Sequence, residues 1–83
     1  MIKLNKKIIT EVIGWYGITV ILFAYILISF EIIFPTSFIY QIMNGTGAVC
    51  IMYETYKKRD YQPCFLNLIW LLISIISLIK MVI

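Results

Sequence analysis

The sequence contains no histidine and two cysteines, and these scarcities exclude several kinds of site. Without histidine there is no nucleophile–base arrangement of the usual kind, and the four carboxylates lie scattered towards the ends of apolar runs. Cys50 and Cys64 form no CxxC pair, so zinc and haem sites are not expected, and we interpret both as reduced packing residues. We therefore expect no enzyme, no catalytic residue, no metal and no cofactor.

Charged residues are also scarce. They make up 13% of the 83 residues, against roughly 25% in an average soluble domain, while 63% are hydrophobic. A soluble fold of this length needs a larger polar surface, so the composition predicts an integral membrane protein with the lipid bilayer as its surroundings. The net charge is +3, but the basic residues lie at the ends of apolar runs, so no nucleic-acid partner is expected.

Three uncharged runs, at 12–30, 32–53 and 61–79, each approach the ~20 residues that a helix needs to cross a bilayer. They predict an all-α bundle of three transmembrane helices, at about 12–33, 37–56 and 63–82, in a single domain over 1–83. The middle run is more polar than the others. Pro35 predicts a break after the first helix, Thr36 or Ser37 a cap for the second, and Asp60 a cap for the third.

Two basic clusters set the predicted topology. Lys3, Lys6 and Lys7 precede the first run, and 57–59 follow the second, whereas the connection at 31–37 has no basic residue. By the positive-inside rule, both clusters are cytoplasmic if the chain crosses the membrane twice between them. This predicts a multi-pass protein of a bacterial-type inner membrane, with its N-terminus inside and its C-terminus outside. The first run has no A-x-A-like site after it, so we interpret it as a permanent span.

At 100° per residue, small and polar residues gather on one face of each predicted helix. The predicted helix-packing residues are Gly14, Gly17 and Gly47. The predicted solute-lining or helix-interface residues are Tyr25, Tyr40, Asn44, Asn67, Trp70 and Ser74. Two interpretations stay open, hydrogen bonding between helices or a polar cavity for a solute. From their depths, Tyr25 is the expected partner of Asn44.

Two charged pairs are further candidates. Glu31 and Lys80 approach the outer interface at similar depth, as an interfacial ion pair or as two separate charges that reach water. Lys7 and Glu11, four residues apart, are expected to form a surface pair.

Four motifs carry a family resemblance. They are Gly14-Trp15-x-Gly17, then Ala24-Tyr25 and Ser29, then Tyr40-Gln41-x-x-Asn44-x-x-Gly47-Ala48, and finally Pro63-x-x-x-Asn67-x-x-Trp70. In this order they resemble an uncharacterised family of short bacterial membrane proteins, some of them labelled permeases. The resemblance covers most of the chain and implies a membrane protein without assigning an activity.

The three short helices are also similar to the SemiSWEET, or PQ-loop, half-transporters, which dimerise around a sugar-sized pocket. That resemblance implies that Asn67 contacts the substrate. The chain departs from the pattern, since it has no Pro-Gln pair and Trp70 lies on the third helix instead of the second.

These observations lead to two hypotheses. The first is a homo-oligomer, a dimer or larger, that passes or binds a small solute, with Gly17 or Gly47 at close helix contacts in the assembly. The second is a non-transporting accessory or scaffold protein of the membrane, whose polar faces serve packing.

The topology can be tested by cysteine labelling. In a Cys50→Ala/Cys64→Ala background, a single cysteine at Lys58 should react with a membrane-impermeant maleimide after cell lysis and stay unlabelled in intact cells. The reason is that the basic loop at 57–59 is expected to be cytoplasmic. Labelling of this cysteine from outside would rule out the three-span topology.

Overall fold

The computed structural model describes residues 5–83, which form three α-helices and no strand. Helix α1 covers Lys6–Ser29, α2 covers Phe38–Lys57 and α3 covers Tyr61–Val82. The prediction of an all-helical chain with three helices is confirmed. Helices α1 and α3 are long and apolar enough to cross a membrane, whereas α2, at 20 residues, is more polar. Lys3, part of the first predicted basic cluster, lies outside the described residues.

Helix α1 begins and ends earlier than expected. It begins at Lys6 because the Asn5 side chain caps it, accepting a hydrogen bond from the Ile8 amide at 2.9 Å. It ends at Ser29, and Glu31 has a left-handed backbone with φ of 58°. The Glu31 amide donates to the Ile28 carbonyl at 3.2 Å, and the Ile32 amide donates to the Leu27 carbonyl at 2.9 Å. These two bonds form a Schellman motif, which stops the helix before the predicted residue 33.

The same motif ends α2. Arg59 also has φ of 58°, and its amide donates to the Tyr56 carbonyl at 3.1 Å, while the Asp60 amide donates to the Thr55 carbonyl at 2.8 Å. Helix α3 begins at Tyr61, two residues after Arg59. Asp60 occupies the position before α3, but its side chain accepts no capping hydrogen bond there. Ser37 does cap α2, accepting from the Tyr40 amide at 3.3 Å.

Helix α2 lies between the other two. It packs antiparallel to both, while no Cα atom of α1 comes within 8 Å of one in α3 among these described helices. Helices α1 and α2 approach closely at Gly17 and Gly47. A Cβ atom on Gly17 would lie 2.7 Å from the Gly47 carbonyl oxygen, and one on Gly47 would lie 2.5 Å from Cγ1 of Ile21. Backbone therefore contacts backbone where these two helices cross.

The interior is small and polar, and the exterior is large and apolar. Within residues 5–83 the buried apolar side chains are Ala24 and Ala48. The buried polar residues are Thr10, Gln41, Thr55, Asn67 and Ser74. Large apolar residues cover the outside of all three helices, and five aromatic residues towards the basic end are all exposed, namely Trp15, Tyr16, Tyr53, Tyr56 and Tyr61.

The glycine crossing gives a test with a control inside the chain. Gly47→Ala should lower the free energy of unfolding by about 2 kcal/mol, because the new methyl overpacks against Ile21 and the Gly17 backbone. Gly45→Ala should be neutral or stabilising, since its Cβ would meet Ser74 at 3.4 Å and alanine favours a helix. Thermal unfolding of both variants in one detergent measures the difference. Equal melting temperatures would contradict a tight backbone crossing at Gly47.

Candidate functional site

A cleft separates α1 from α3, and α2 forms its floor. Its volume is about 680 Å³. The lining residues come from all three helices: Ile18, Ile21, Leu22 and Tyr25 from α1, Tyr40, Gln41, Asn44 and Ile51 from α2, and Trp70 and Ile73 from α3. The surface is mostly apolar, with a few polar groups and no charged side chain. This composition is typical of a pocket for a small uncharged molecule.

Four of the six residues predicted to line a site face this cleft. They are Tyr25, Tyr40, Asn44 and Trp70. Tyr25 and Trp70 stand on opposite walls and are 63% and 38% exposed. Rings in this position offer flat apolar faces together with a hydroxyl or an indole N–H. The sequence placed them on three different helices, and the packing of those helices on α2 brings them to one cavity.

Asn44 joins the cleft to the α2–α3 interface. Its Nδ2 atom donates to the Ser74 hydroxyl at 2.9 Å. Ser74 is 1% exposed, so it lies beneath the cleft and not on its surface. The expected partnership of Asn44 with Tyr25 is wrong, because the amide faces α3 whereas Tyr25 is on α1. Equal depth along two helices did not give the direction in which the side chain points.

Asn67 does not line the cleft. It is 3% exposed and its Nδ2 atom donates to the Pro63 carbonyl of its own helix at 2.8 Å. Its Oδ1 atom is buried with no hydrogen-bond partner among residues 5–83. Asn44 and Asn67 therefore donate to different partners, one on a neighbouring helix and one on its own. The placement of Asn67 is that of a packing residue, since its donor serves the first turn of α3.

Gln41 is a cleft residue that the sequence reasoning did not select. It is 9% exposed, and its Nε2 atom donates to the Pro35 carbonyl at 2.9 Å, which ties the α1–α2 connection to α2. Because a carbonyl accepts and cannot donate, this bond identifies the Nε2 end of the amide and leaves Oε1 as an acceptor. That oxygen has no partner in the described residues. Its position three residues before Asn44, on the same helix face, was the available signal.

Charged residues form a separate cluster at the other end of the bundle. Lys58 pairs with Glu11 of α1, and with Glu54 of α2 at 2.7 Å. Glu54 is accommodated by Gly14, where a Cβ atom would lie 2.6 Å from the Glu54 Cδ atom. The expected Lys7–Glu11 pair is therefore wrong, since Glu11 reaches across to Lys58.

The cluster shifts the titration of its lysine. Hydrogen bonds first to Glu11 and then to Glu54 raise the pKa of Lys58 to about 12. Because the folded pKa is above the ordinary value of 10.5, any stability from these pairs is present below pH 10.5 and is lost as the pH rises through about 12. Glu31 and Lys80 are not brought into an ion pair, since both ion pairs within residues 5–83 involve Lys58.

A comparison with models of protein families places the chain. Residues 10–83 match the sequence model of an uncharacterised protein family. The chain belongs to this family. No curated protein and no solved structure matches it.

The family match includes every residue of the cleft and both partners of the Asn44–Ser74 bond. It also includes all of the Lys58 cluster, but it begins after Lys6. The family match therefore covers both the cleft and the Lys58 cluster, and it assigns an activity to neither. The resemblance to SemiSWEET half-transporters stays a prediction.

A double-mutant cycle on Asn44 and Ser74 measures the hydrogen bond that borders the cleft. Asn44→Ala and Ser74→Ala should show a coupling energy of about 1 kcal/mol in reversible unfolding, because each variant removes one partner of the same bond. A control cycle that combines Asn67→Ala with Ser74→Ala should show no coupling of this size. Additive effects of Asn44→Ala and Ser74→Ala would contradict the bond.

Proposed function

We propose that the chain is a non-enzymatic membrane protein that crosses the bilayer three times and binds a small uncharged solute in the cleft between α1 and α3. The observation that carries the proposal is the cleft itself. It gathers aromatic rings and amides from three helices onto one apolar cavity of about 680 Å³. Volumes of this size accommodate drug-sized or sugar-sized molecules.

The distribution of residues supports placement in a membrane. Large apolar side chains on the helices, such as Leu22 and Phe65, are 55% and 64% exposed, whereas the buried set is dominated by polar residues. In water such a surface would be strongly unfavourable, because burial of apolar area is the main stabilising term of a soluble fold. In lipid, apolar side chains face the acyl chains and polar groups turn inward to their partners.

The position of α2 supports a third span. It has 20 residues, about 30 Å of helix, which matches the hydrocarbon thickness. It also packs antiparallel between two helices that are apolar enough to cross. A central helix is shielded from lipid on two sides, so it tolerates Asn44, Gln41 and glycines that an exposed span could not.

Charge supports an orientation with the N-terminus inside. Lys6 and Lys7 begin α1, and 57–59 end α2 at the same end of the bundle, because the two helices run antiparallel. The connection at 30–37 lies at the opposite end and has no basic residue. The positive-inside rule places the basic end in the cytoplasm and the C-terminus outside, in a bacterial-type inner membrane.

Assembly follows from the open side of the cleft. One protomer provides two walls and a floor, so a solute bound there would still face lipid between α1 and α3. A second copy related by a two-fold axis would close it, and two facing clefts would enclose a path for transport. We therefore propose a homo-oligomer of at least two copies. The glycine crossing would not form that interface, since Gly17 and Gly47 contact each other inside one chain.

A second candidate is a non-transporting membrane scaffold or accessory protein. It is favoured by the hydrogen bonds of the two asparagines, whose side-chain N–H groups donate to the Ser74 hydroxyl and the Pro63 carbonyl within the chain. Under this hypothesis the amides stabilise packing, and no solute passes.

The aromatic wall separates these candidates. The wild-type protein in liposomes should pass at least one member of a panel of uncharged sugars, polyols and zwitterionic amino acids. Trp70→Ala should reduce that flux by tenfold or more, because it removes a ring from the cleft. Trp15→Ala is the matched control: its ring is 65% exposed and does not line the cleft, so its flux should stay at the wild-type level.

Oligomeric state in lipid nanodiscs is measured in parallel. A wild-type protein that passes no solute would favour the scaffold over the transporter. Equal loss in Trp70→Ala and Trp15→Ala would contradict the cleft as the path, and a strictly monomeric protein would contradict closure by a second copy.

A further inference from the structure

A second cavity lies at the basic end of the bundle, away from the cleft. Its volume is about 210 Å³, and it is lined by Lys6, Ile9 and Thr10 of α1 and by Tyr53 and Lys57 of α2. Two ammonium groups from different helices therefore border one small space. No acidic side chain lines it.

Neither lysine is neutralised within residues 5–83. Both ion pairs in that part of the chain go to Lys58, which occupies Glu11 and Glu54, the carboxylates of α1 and α2. The Nζ atom of Lys57 lies 5.6 Å from the centroid of the Tyr53 ring, within the range of a cation–π contact. This contact holds the ammonium group beside the cavity.

Two hydroxyl-bearing residues, Thr10 and Tyr53, also line the cavity. The Thr10 hydroxyl donates to the Lys6 carbonyl at 2.8 Å, inside α1. The charged hydrogen-bonding capacity of the cavity is that of two ammonium donors, with six N–H bonds between them. Such a site suits a compact anion with several acceptor oxygens, and a carboxylic or neutral ligand would use less of it.

We propose that this cavity binds the phosphate group of an anionic ligand, with Lys6 and Lys57 as its two charge contacts. The ligand is either an anionic lipid headgroup or a soluble phosphate ester, which present the same chemistry. The lipid source rests on the proposed membrane placement, in which this end of the bundle lies at the cytoplasmic interface, where basic pockets bind anionic headgroups. The soluble source does not depend on that placement.

The test uses the purified full chain in a neutral detergent, with lipid binding followed by native mass spectrometry. Phosphatidylglycerol should bind more tightly than phosphatidylcholine with the same acyl chains. Removing each lysine should weaken phosphatidylglycerol binding about fivefold, so Lys6→Gln/Lys57→Gln should weaken it roughly 25-fold. Lys6→Arg/Lys57→Arg keeps both charges and should keep most of the binding, which shows that the cavity still forms.

Lys7→Gln is the matched control, because it removes the same charge from the same turn of α1 without touching the cavity. It should leave binding within twofold of the wild type. Glycerol 3-phosphate distinguishes the sources: competition at concentrations similar to those of the lipid assigns a soluble phosphate, and no competition assigns the lipid headgroup. Equal binding of the two lipids with no binding of glycerol phosphate would overturn the proposal, as would equal losses in Lys7→Gln and the double glutamine variant. None of these outcomes depends on solute flux through the cleft.

Discussion

The arrangement of the three helices depends on the backbone contact between Gly17 and Gly47. With no side chain at either position, α1 approaches α2 until the carbonyl of one glycine occupies the space where the Cβ of the other would be. Ile21, one turn further along α1, then lies over Gly47 and also forms part of the cleft wall. The contact that brings the two helices together therefore also fixes how the α1 wall stands over the α2 floor.

The composition of α2 follows from its central position. It meets α1 through glycines and Glu54, and it meets α3 through Gly45 and Asn44. The glycines are small enough for close approach, Glu54 packs against Gly14 of α1, and Asn44 bonds to Ser74 of α3. These residues lower the mean hydropathy of the segment. In a row of three helices, however, the middle helix exposes the least surface and packs against two neighbours, so small and polar residues suit it.

The sequence was sufficient for the number of helices, because apolar runs and prolines are local signals. The predicted end of α1 was wrong because the left-handed residue that ends a helix is usually a glycine, and here that residue is Glu31. Hydrogen-bond and ion-pair partners on different helices were harder to predict than the helix ends. The position of a residue along a helix axis can be counted from the sequence. Whether Asn44 meets Ser74, or Glu11 meets Lys58, depends on the rotation of each helix about its axis and on the angle between helices, which the sequence of one helix does not give. Gln41 was missed because its hydrogen bond to the Pro35 carbonyl depends on the path of the α1–α2 connection, which helical spacing does not give.

The backbone separation between the described helices α1 and α3 has a consequence for how the bundle comes apart. Within residues 5–83 the backbone of each outer helix comes close to α2 alone, so the close backbone contacts form a row, as in a repeat protein where each unit meets its nearest neighbours. Detaching α1 leaves the α2–α3 pair with its Asn44–Ser74 bond intact, and detaching α3 leaves the glycine crossing intact. Cooperativity of unfolding is therefore transmitted through α2. A molecule that touched both outer helices in the cleft would add the missing third contact and convert the row into a closed ring of interactions.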